Sequence, residues 1–300
     1  MTAVSLIIST RNRASRIGTC LDALPTEGLV RCGFELILVD NGSNDGTGDI
    51  MRAFAAERPY PAQVIVEPEP GLSHGRNAGI RAARGEIIAF TDDDCYPAPD
   101  YADAIVETFT TRRIDYCGGR ILLHDPTDAQ YIINTRETPR TFGPGSIIRP
   151  GRIQGANMIF RRSVVERVGL FDPQMAGLDV MRCEDVDYCT RASLCGFTGA
   201  HVPSIVVQHH HGRKPGPDLD ALKRDNQISL GAHYMKFWML GYRRALLAYL
   251  GVVLHRRNPA EVGQHLQGAR AYRRIIRTRG RSPFDALSVP LQTEWEGGAP

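Results

Sequence analysis

The first 120 residues alternate short apolar runs with segments whose apolar residues recur at helical spacing. The apolar runs have the length of strands and are predicted at 4–8, 34–39, 63–66 and 86–90. The segments with helical spacing are predicted at 15–24, 47–56, 73–84 and 101–109. Such an alternation predicts an α/β fold, in which a mostly parallel sheet carries helices on both faces.

Polar side chains follow the predicted strands at the points where the strands end. They are Thr10, Arg11, Asn12, Asp40, Asn41 and the triplet Asp92, Asp93 and Asp94. In an open α/β sheet, ligands bind outside the carboxyl ends of the strands, so we expect these segments to meet at one ligand-binding edge. The first strand is not followed by a GxGxxG turn, which argues against a dinucleotide cofactor.

The acidic triplet follows a predicted buried strand, where three carboxylates are costly unless something compensates their charge. A divalent cation is the usual compensation, and Mg²⁺ or Mn²⁺ is typically held by one or two carboxylates together with phosphate oxygens of a substrate. In a continuing strand, Asp92 and Asp94 point to one side and Asp93 to the other. The alternative is a solvated, Asp-rich turn.

Composition agrees with a globular protein of the cytoplasm. No apolar run approaches the roughly 20 residues that span a bilayer, and the first apolar run is too short and lacks the basic residues of a signal peptide. The seven cysteines form no CxxC pair. We therefore expect a cytoplasmic protein, with the inner face of the membrane as a second location.

The net charge of +3 hides an asymmetry along the chain. Residues 1–212 hold 21 arginines and 26 acidic residues, a balance of −5. Residues 213–281 hold 15 basic and four acidic residues, a balance of +11. An acidic body suits a metal site, and a basic tail suits an anionic partner.

The second part of the chain is less regular. Residues 125–151 are rich in Pro, Gly and charge and are predicted to be a mobile or substrate-covering loop. A strand predicted at 202–208 ends in His209, His210 and His211, and residues 221–279 look helical with a break near Pro259. We expect a domain at 1–212, divided into halves 1–120 and 121–212, and a helical region at 213–300.

These motifs, in this order, resemble the family 2 glycosyltransferases of the GT-A fold. The matching segments are 4–12, 36–45, 71–80, 86–94, 155–161, 169–172, 184–191 and 209–212. The similarity is strongest to the bacterial branch of rhamnosyl- and galactofuranosyl-type transferases. The resemblance implies a Rossmann-like nucleotide-binding half and an acceptor half over residues 1–212. It also implies a nucleoside-diphosphate sugar as donor and a glycan, lipid-linked or small-molecule acceptor.

The resemblance places the base and ribose of the donor near Thr10, Arg11, Asn12 and Asp40. Arg76 follows a predicted helix start, where free backbone N–H groups favour an anion, so a contact with the diphosphate is expected. The alternative is a solvated arginine. Asp93 is grouped with these donor-binding residues.

The family's Asp-x-Asp pattern makes Asp94 the first candidate for direct contact with Mn²⁺ or Mg²⁺, and Asp92 the candidate for contact with ribose or with the metal through water. The family's second metal ligand ends a strand, which favours His209. His211 lies on the same strand face and is the runner-up. The alternative is a surface histidine cluster without metal.

The resemblance assigns the catalytic base to Asp185 and leaves Glu184 to bind the acceptor or support the base. The alternative is that both complement a helix dipole. A single positioned carboxylate implies direct displacement and inversion at the anomeric carbon. Asp187 is expected to be solvated or capping, and Gly155 and Ala156 to admit the sugar or pack a strand closely.

The tail and the overall activity leave alternatives open. Residues 228–281 predict either a basic amphipathic surface for an anionic membrane or helices packed on the core, and nucleic acid is not an expected partner. A nucleotidyltransferase is a second activity, although no lysine precedes Lys214 to hold a triphosphate. A non-catalytic sugar-nucleotide or membrane-binding module is the third.

Overall fold

The computed structural model describes residues 3–176, 181–256 and 258–280. The first half alternates strands and helices as the sequence predicts. Its strands are β1 Val4–Thr10, β2 Phe34–Asp40, β3 Ala62–Val66, β4 Ile87–Thr91 and β5 Cys95–Pro97. Its helices are α1 Ile17–Asp22, α2 Thr26–Arg31, α3 Thr47–Ala56, α4 Leu72–Ala82 and α5 Tyr101–Thr111.

Several elements were not predicted from the sequence, among them helix α2, strand β5 and the eight-residue strand at Tyr116–Leu123. Helix α2 and strand β5 contain only six and three residues, too few for a periodic pattern to appear. Helix α2 nevertheless buries Leu29, and β5 pairs with a strand near the end of the domain.

The second half adds four strands and the remaining helices. The strands are β6 Tyr116–Leu123, β7 Arg140–Phe142, β8 Asn157–Arg161 and β9 Gly199–His209. The helices are α6 Arg162–Val168, α7 Glu184–Leu194, α8 Pro217–Met239, α9 Arg243–Arg256 and α10 Pro259–Arg279. The break predicted near Pro259 separates α9 from α10. The predicted loop 125–151 is mostly irregular but contains β7.

Within the described residues, nine strands form one sheet in the order β3-β2-β1-β4-β8-β6-β9-β5, with β7 beside β9. The four strands β3, β2, β1 and β4 are parallel, as expected, whereas β8 runs antiparallel to both β4 and β6. The chain leaves β1 on one side for β2 and returns on the other side with β4. A ligand crevice lies at such a switch point, next to the ends of β1 and β4.

The parallel strands are apolar on both faces because helices cover the sheet on both sides. In β1, Leu6 and Ile8 join one core cluster, and Ile7 joins the cluster on the opposite face. The buried sheet therefore fixes the positions of the polar residues that follow each strand.

The first tail helix packs on the core instead of lying on a surface. Helix α8 buries Ile228, Leu230, Tyr234 and Phe237. These four apolar residues belong to the segment 228–281, for which a membrane-binding surface was one of the two predictions. Helix α10 crosses α8 so closely that a Cβ at Gly231 would lie 1.9 Å from a backbone oxygen of α10. For α8, the structure therefore shows the alternative in which the helix packs on the core.

Candidate active site

The acidic triplet lies in a turn directly after β4. The backbone N–H of Cys95 donates to the carbonyl of Asp92 at 3.2 Å, so the chain reverses here and does not continue the strand. Asp92 and Asp94 still face the same side. Asp93 points away, where it accepts a hydrogen bond from Thr10 and lies 3.5 Å from Arg13. Burial raises the pKa of Asp93 to about 6.

Asp94 lies beside the end of β9. Its Oδ1 is 3.1 Å from Nε2 of His209, because β5 pairs with β9 and sets Cys95 opposite His209. Burial opposes ionisation of Asp94, but the hydrogen bond and charge of His209 outweigh it and lower the pKa of the carboxyl. The pair is thus an ionised carboxylate against an imidazole, both buried.

These side chains fit a divalent metal. Ligand atoms of Asp92, Asp94, Cys95 and His209 all lie within 4.8 Å of one another. Cys95 offers a thiol, a soft ligand that suits zinc and copper better than Mn²⁺ or Mg²⁺, which prefer oxygen. Two carboxylates and one imidazole remain, a donor set suited to Mn²⁺ or Mg²⁺.

His211 faces a different partner. Its ring lies 5.1 Å from that of His209, but its Nδ1 is 3.7 Å from Asp128, which is also ion-paired to Lys214 at 2.7 Å. Strand β9 ends at His209, so the alternation that made the two histidines equivalent in sequence ends there too. The structure places His209, and not His211, beside Asp94.

The predicted nucleotide-binding residues meet at the ends of β1 and β2. Thr10 and Asp40 are directly opposite each other in the parallel register. Asp40 accepts from the backbone N–H of Ser43 at 2.9 Å, and a Cβ at Gly48, in the first turn of α3, would lie 2.5 Å from its carboxylate. Arg11 and Asn12 stand at the exposed rim.

Arg76 is buried in the middle of the site and is not the solvated arginine of the alternative interpretation. Its guanidinium nitrogens lie 2.7 Å from Glu184 and 3.3 Å from Asp92. A Cβ at Gly155 would lie 2.3 Å from this guanidinium. Glycine at 155 therefore makes room for Arg76. Gly155 and Ala156 also line the large cavity of this site, so a contact of this segment with a sugar stays a prediction. Arg76 joins the metal-side carboxylates to the Glu184–Asp185 pair.

Asp185 lies in the first turn of α7. Its carboxylate accepts from the backbone N–H of Gly155 at 2.9 Å and from that of Val186 at 2.7 Å. Burial and the neighbouring charge of Glu184 raise the pKa of Asp185 to about 7. A pKa of about 7 is close to the value best suited to a general base that works near neutral pH.

Asp187 was expected to be a solvated or capping residue, and this expectation was wrong. Its side chain is completely buried, with Nε of Arg191 at 2.9 Å and Nζ of Lys236 at 2.9 Å. Lys236 also reaches Asp172 at 2.7 Å. A cation from α8 therefore ties the start of α7 to the segment before it, since buried charges are tolerated only when paired.

A cavity of about 950 Å³ opens at this site. Asp92 lines it and lies beside Asp94 and His209. The floor of the cavity carries Arg76, Asp92, Glu184, Asp185 and Gly155, and its far wall is formed by residues of α8 and the start of α10. Arg213 also lines it, and its charge helps to lower the pKa of Asp94. Sequence reasoning missed Arg213, Lys236 and the α8 wall. The signals available in the sequence were a cation two residues after the histidine run and a lone lysine among apolar residues.

Comparison with known proteins identifies the family. The model of glycosyl transferase family 2 matches residues 5–169. The chain belongs to this family. The glycosyltransferase AglE of Haloferax volcanii is 30% identical over 239 residues, which are 79% of this chain and 74% of the relative. A PGL/p-HBAD biosynthesis glycosyltransferase of Mycobacterium bovis is 30% identical over 169 residues, 56% of this chain and 60% of that relative.

Solved structures share the fold. The mannosyltransferase PcManGT from Pyrobaculum calidifontis, in complex with GDP-Man and Mn²⁺, has a TM-score of 0.63 and 24% identity, covering 95% of this chain and 77% of that one. TarS 1–349 of S. aureus, in complex with UDP-GlcNAc, has a TM-score of 0.57 and 15% identity, covering 89% and 79%.

The comparisons confirm the predicted glycosyltransferase family and the GT-A fold. The rhamnosyl- and galactofuranosyl-type branch stays a prediction, as does the domain boundary at residue 212. Among the residues that the structure describes, no helix is long and apolar enough to cross a membrane.

Proposed function

We propose that this glycosyltransferase moves a sugar from a nucleoside-diphosphate sugar to an acceptor hydroxyl, using a divalent metal and inverting the anomeric carbon. The acceptor is a glycan, a lipid-linked or a small molecule. The observation that carries the proposal is the arrangement of carboxylates along one cavity. Asp92 lies beside the Asp94–His209 pair at one end, and Asp185 lies at the other. Arg76 spans the space between them.

The donor end would hold the nucleotide and the metal. Asp92, Asp94 and His209 are the residues that would bind Mn²⁺ or Mg²⁺, and a metal there supplies the positive charge that stabilises a departing diphosphate. The imidazole favours Mn²⁺ over Mg²⁺. Thr10 and Asp40, at adjacent strand ends, are placed to hydrogen-bond the ribose and base.

Two arginines of the chain add positive charge to the same cavity. Arg76 and Arg213 both line it, and Arg76 is fully enclosed. A buried guanidinium forms strong charge-assisted hydrogen bonds with phosphate oxygens. Arg76 is already shared by Asp92 and Glu184, so its first role is to hold these carboxylates in position while its charge faces the donor.

Asp185 would accept the proton of the acceptor hydroxyl. Two backbone N–H groups fix its orientation, and the described residues give it no ion pair. Glu184 is instead neutralised by Arg76, which suits a supporting role. A single free carboxylate supports one direct displacement, in which an α-linked donor yields a β-linked product and the reverse. This favours transfer over the nucleotidyltransferase and binding-module alternatives.

A panel of donors tests the proposal. We would incubate the enzyme and Mn²⁺ with UDP-GlcNAc, UDP-galactofuranose, GDP-mannose and dTDP-rhamnose, and measure the nucleoside diphosphate released. One donor should be consumed, and Asp185→Asn should slow transfer by about 10²–10⁴-fold. The matched control is Asp103→Asn, which changes an exposed carboxylate on α5. If the Asp185→Asn enzyme stayed active, the assignment of Asp185 as the base would be wrong. Proton NMR of the product would show whether the anomeric configuration is inverted.

A further inference from the structure

Helix α9 presents leucines to solvent. Leu246, Leu247, Leu250 and Leu254 follow helical spacing along one side and are 44%, 67%, 44% and 70% exposed. A helix on the surface of a globular protein normally carries polar residues on its outer face. Several adjacent exposed leucines therefore indicate an interaction surface.

These leucines are not required to hold α9 in place. The opposite side of the helix already packs, with Ala245 buried and Tyr249 and Val252 contacting the cluster of Leu230 and Phe237. The helix is apolar on both sides, but the described residues cover only one of them. Within the described part of the chain, Leu247 and Leu254 in particular leave most of their surface uncovered.

The segment that contains α9 and α10 is strongly basic. Residues 243–280 contain nine arginines and a single acidic residue, Glu261, and α9 itself has no acidic residue. The exposed residues Leu266, Arg270, Arg273 and Arg277 are spaced to share one side of α10. Exposed leucines on α9 and exposed arginines on α10 together suit a surface that is apolar inside and anionic outside.

We infer that α9 and α10 dock this enzyme on an anionic lipid bilayer, with the leucines of α9 below the headgroups and the arginines among them. The inference narrows the membrane contact predicted for 228–281 to the last two helices, because the apolar residues of α8 between Ile228 and Phe237 pack on the core. It rests on the proposed function in one respect. Asn258, which caps α10, and Ala260, in its first turn, line the catalytic cavity, so docking brings a lipid-linked acceptor close to Asp185.

Vesicle binding tests the inference with the full chain. The probes are vesicles of phosphatidylcholine alone and of phosphatidylcholine mixed with phosphatidylglycerol, and the readout is co-sedimentation. We expect binding to the anionic vesicles, and at least about tenfold weaker binding for the double variant Leu247→Ser, Leu254→Ser. Val30→Ser is the matched control, since Val30 is 47% exposed on α2, and it should bind as the unmodified protein does.

Two outcomes would overturn the inference. The first is equal or absent binding of the unmodified chain and the double variant. The second is a concentration-dependent dimer in sedimentation velocity that the double variant loses, which would assign the leucines to a second copy of the chain. Stabilisation by nucleotide and Mn²⁺, measured on the same samples, reports on the donor site separately, so failure of docking and failure of the proposed function are distinguishable.

Discussion

The two ends of the cavity are built from different kinds of structure. At the metal end, His209 is the last residue of β9 and Asp94 directly precedes β5, and the pairing of these two strands fixes their distance. At the other end, Asp185 lies at a helix start, held by backbone N–H groups and by a helix that Lys236 anchors from the tail. The comparison suggests that the sheet determines donor binding, whereas transfer depends on contacts between distant parts of the chain.

The largest expected effect comes from replacing Lys236, the buried cation of α8 that supports the acceptor end. Lys236→Met leaves Asp172 without its ion pair and Asp187 with Arg191 alone. We expect the free energy of unfolding to fall by about 3–5 kcal/mol, because a buried charge without a partner is strongly destabilising. Urea denaturation followed by circular dichroism measures it. The control Lys223→Met, at an exposed site, should change stability by at most about 0.5 kcal/mol. Equal effects would show that the tail does not support α7.

A smaller effect is expected at Gly155, which lies beside Arg76, the residue that contacts carboxylates of both ends. Gly155→Ala places a Cβ against the guanidinium of Arg76 and must shift it away from Glu184 or Asp92. We expect a loss of about 1–3 kcal/mol in stability, typical of overpacking, together with slower transfer. Gly263→Ala, in open space on α10, is the control and should be neutral or slightly stabilising. If Gly155→Ala behaves like this control, Arg76 does not hold the two ends together.

The smallest effect concerns pH and the acceptor end alone. The raised pKa of Asp185, about 7, means that the carboxyl is protonated below that pH and cannot accept a proton. The ratio kcat/KM should therefore fall about tenfold for each pH unit below 7 and level off above it. Initial rates at saturating Mn²⁺ give the profile. A profile that stays flat down to the ordinary pKa of an aspartate would contradict the assignment of Asp185 as base.

The success of prediction from sequence also differs between the metal end, which is built from strands, and the acceptor end, which is built around a helix start. Asp92 and Asp94 could be proposed because strand periodicity and turn residues are local signals, and the family motifs pointed to Asp185 and His209. The structure brings Asp92, Asp94 and His209 together. Sequence alternation did not separate His209 from His211, because the strand ends between them. Asp187 was misjudged because its partner Lys236 lies on another helix. Arg76 and Glu184 pair across 108 positions, a contact that no local pattern reports.

The most direct test of the two-ended site is thermal unfolding with nucleotide and metal. UDP, GDP and dTDP would each be added with and without Mn²⁺ to the unmodified enzyme, Asp94→Asn and Asp185→Asn. A ligand that binds only the folded state raises Tm by mass action. We predict a Mn²⁺-dependent rise with one nucleotide that Asp94→Asn loses and Asp185→Asn retains. Loss in both variants, or no rise with any nucleotide, would contradict a donor site built at the strand ends.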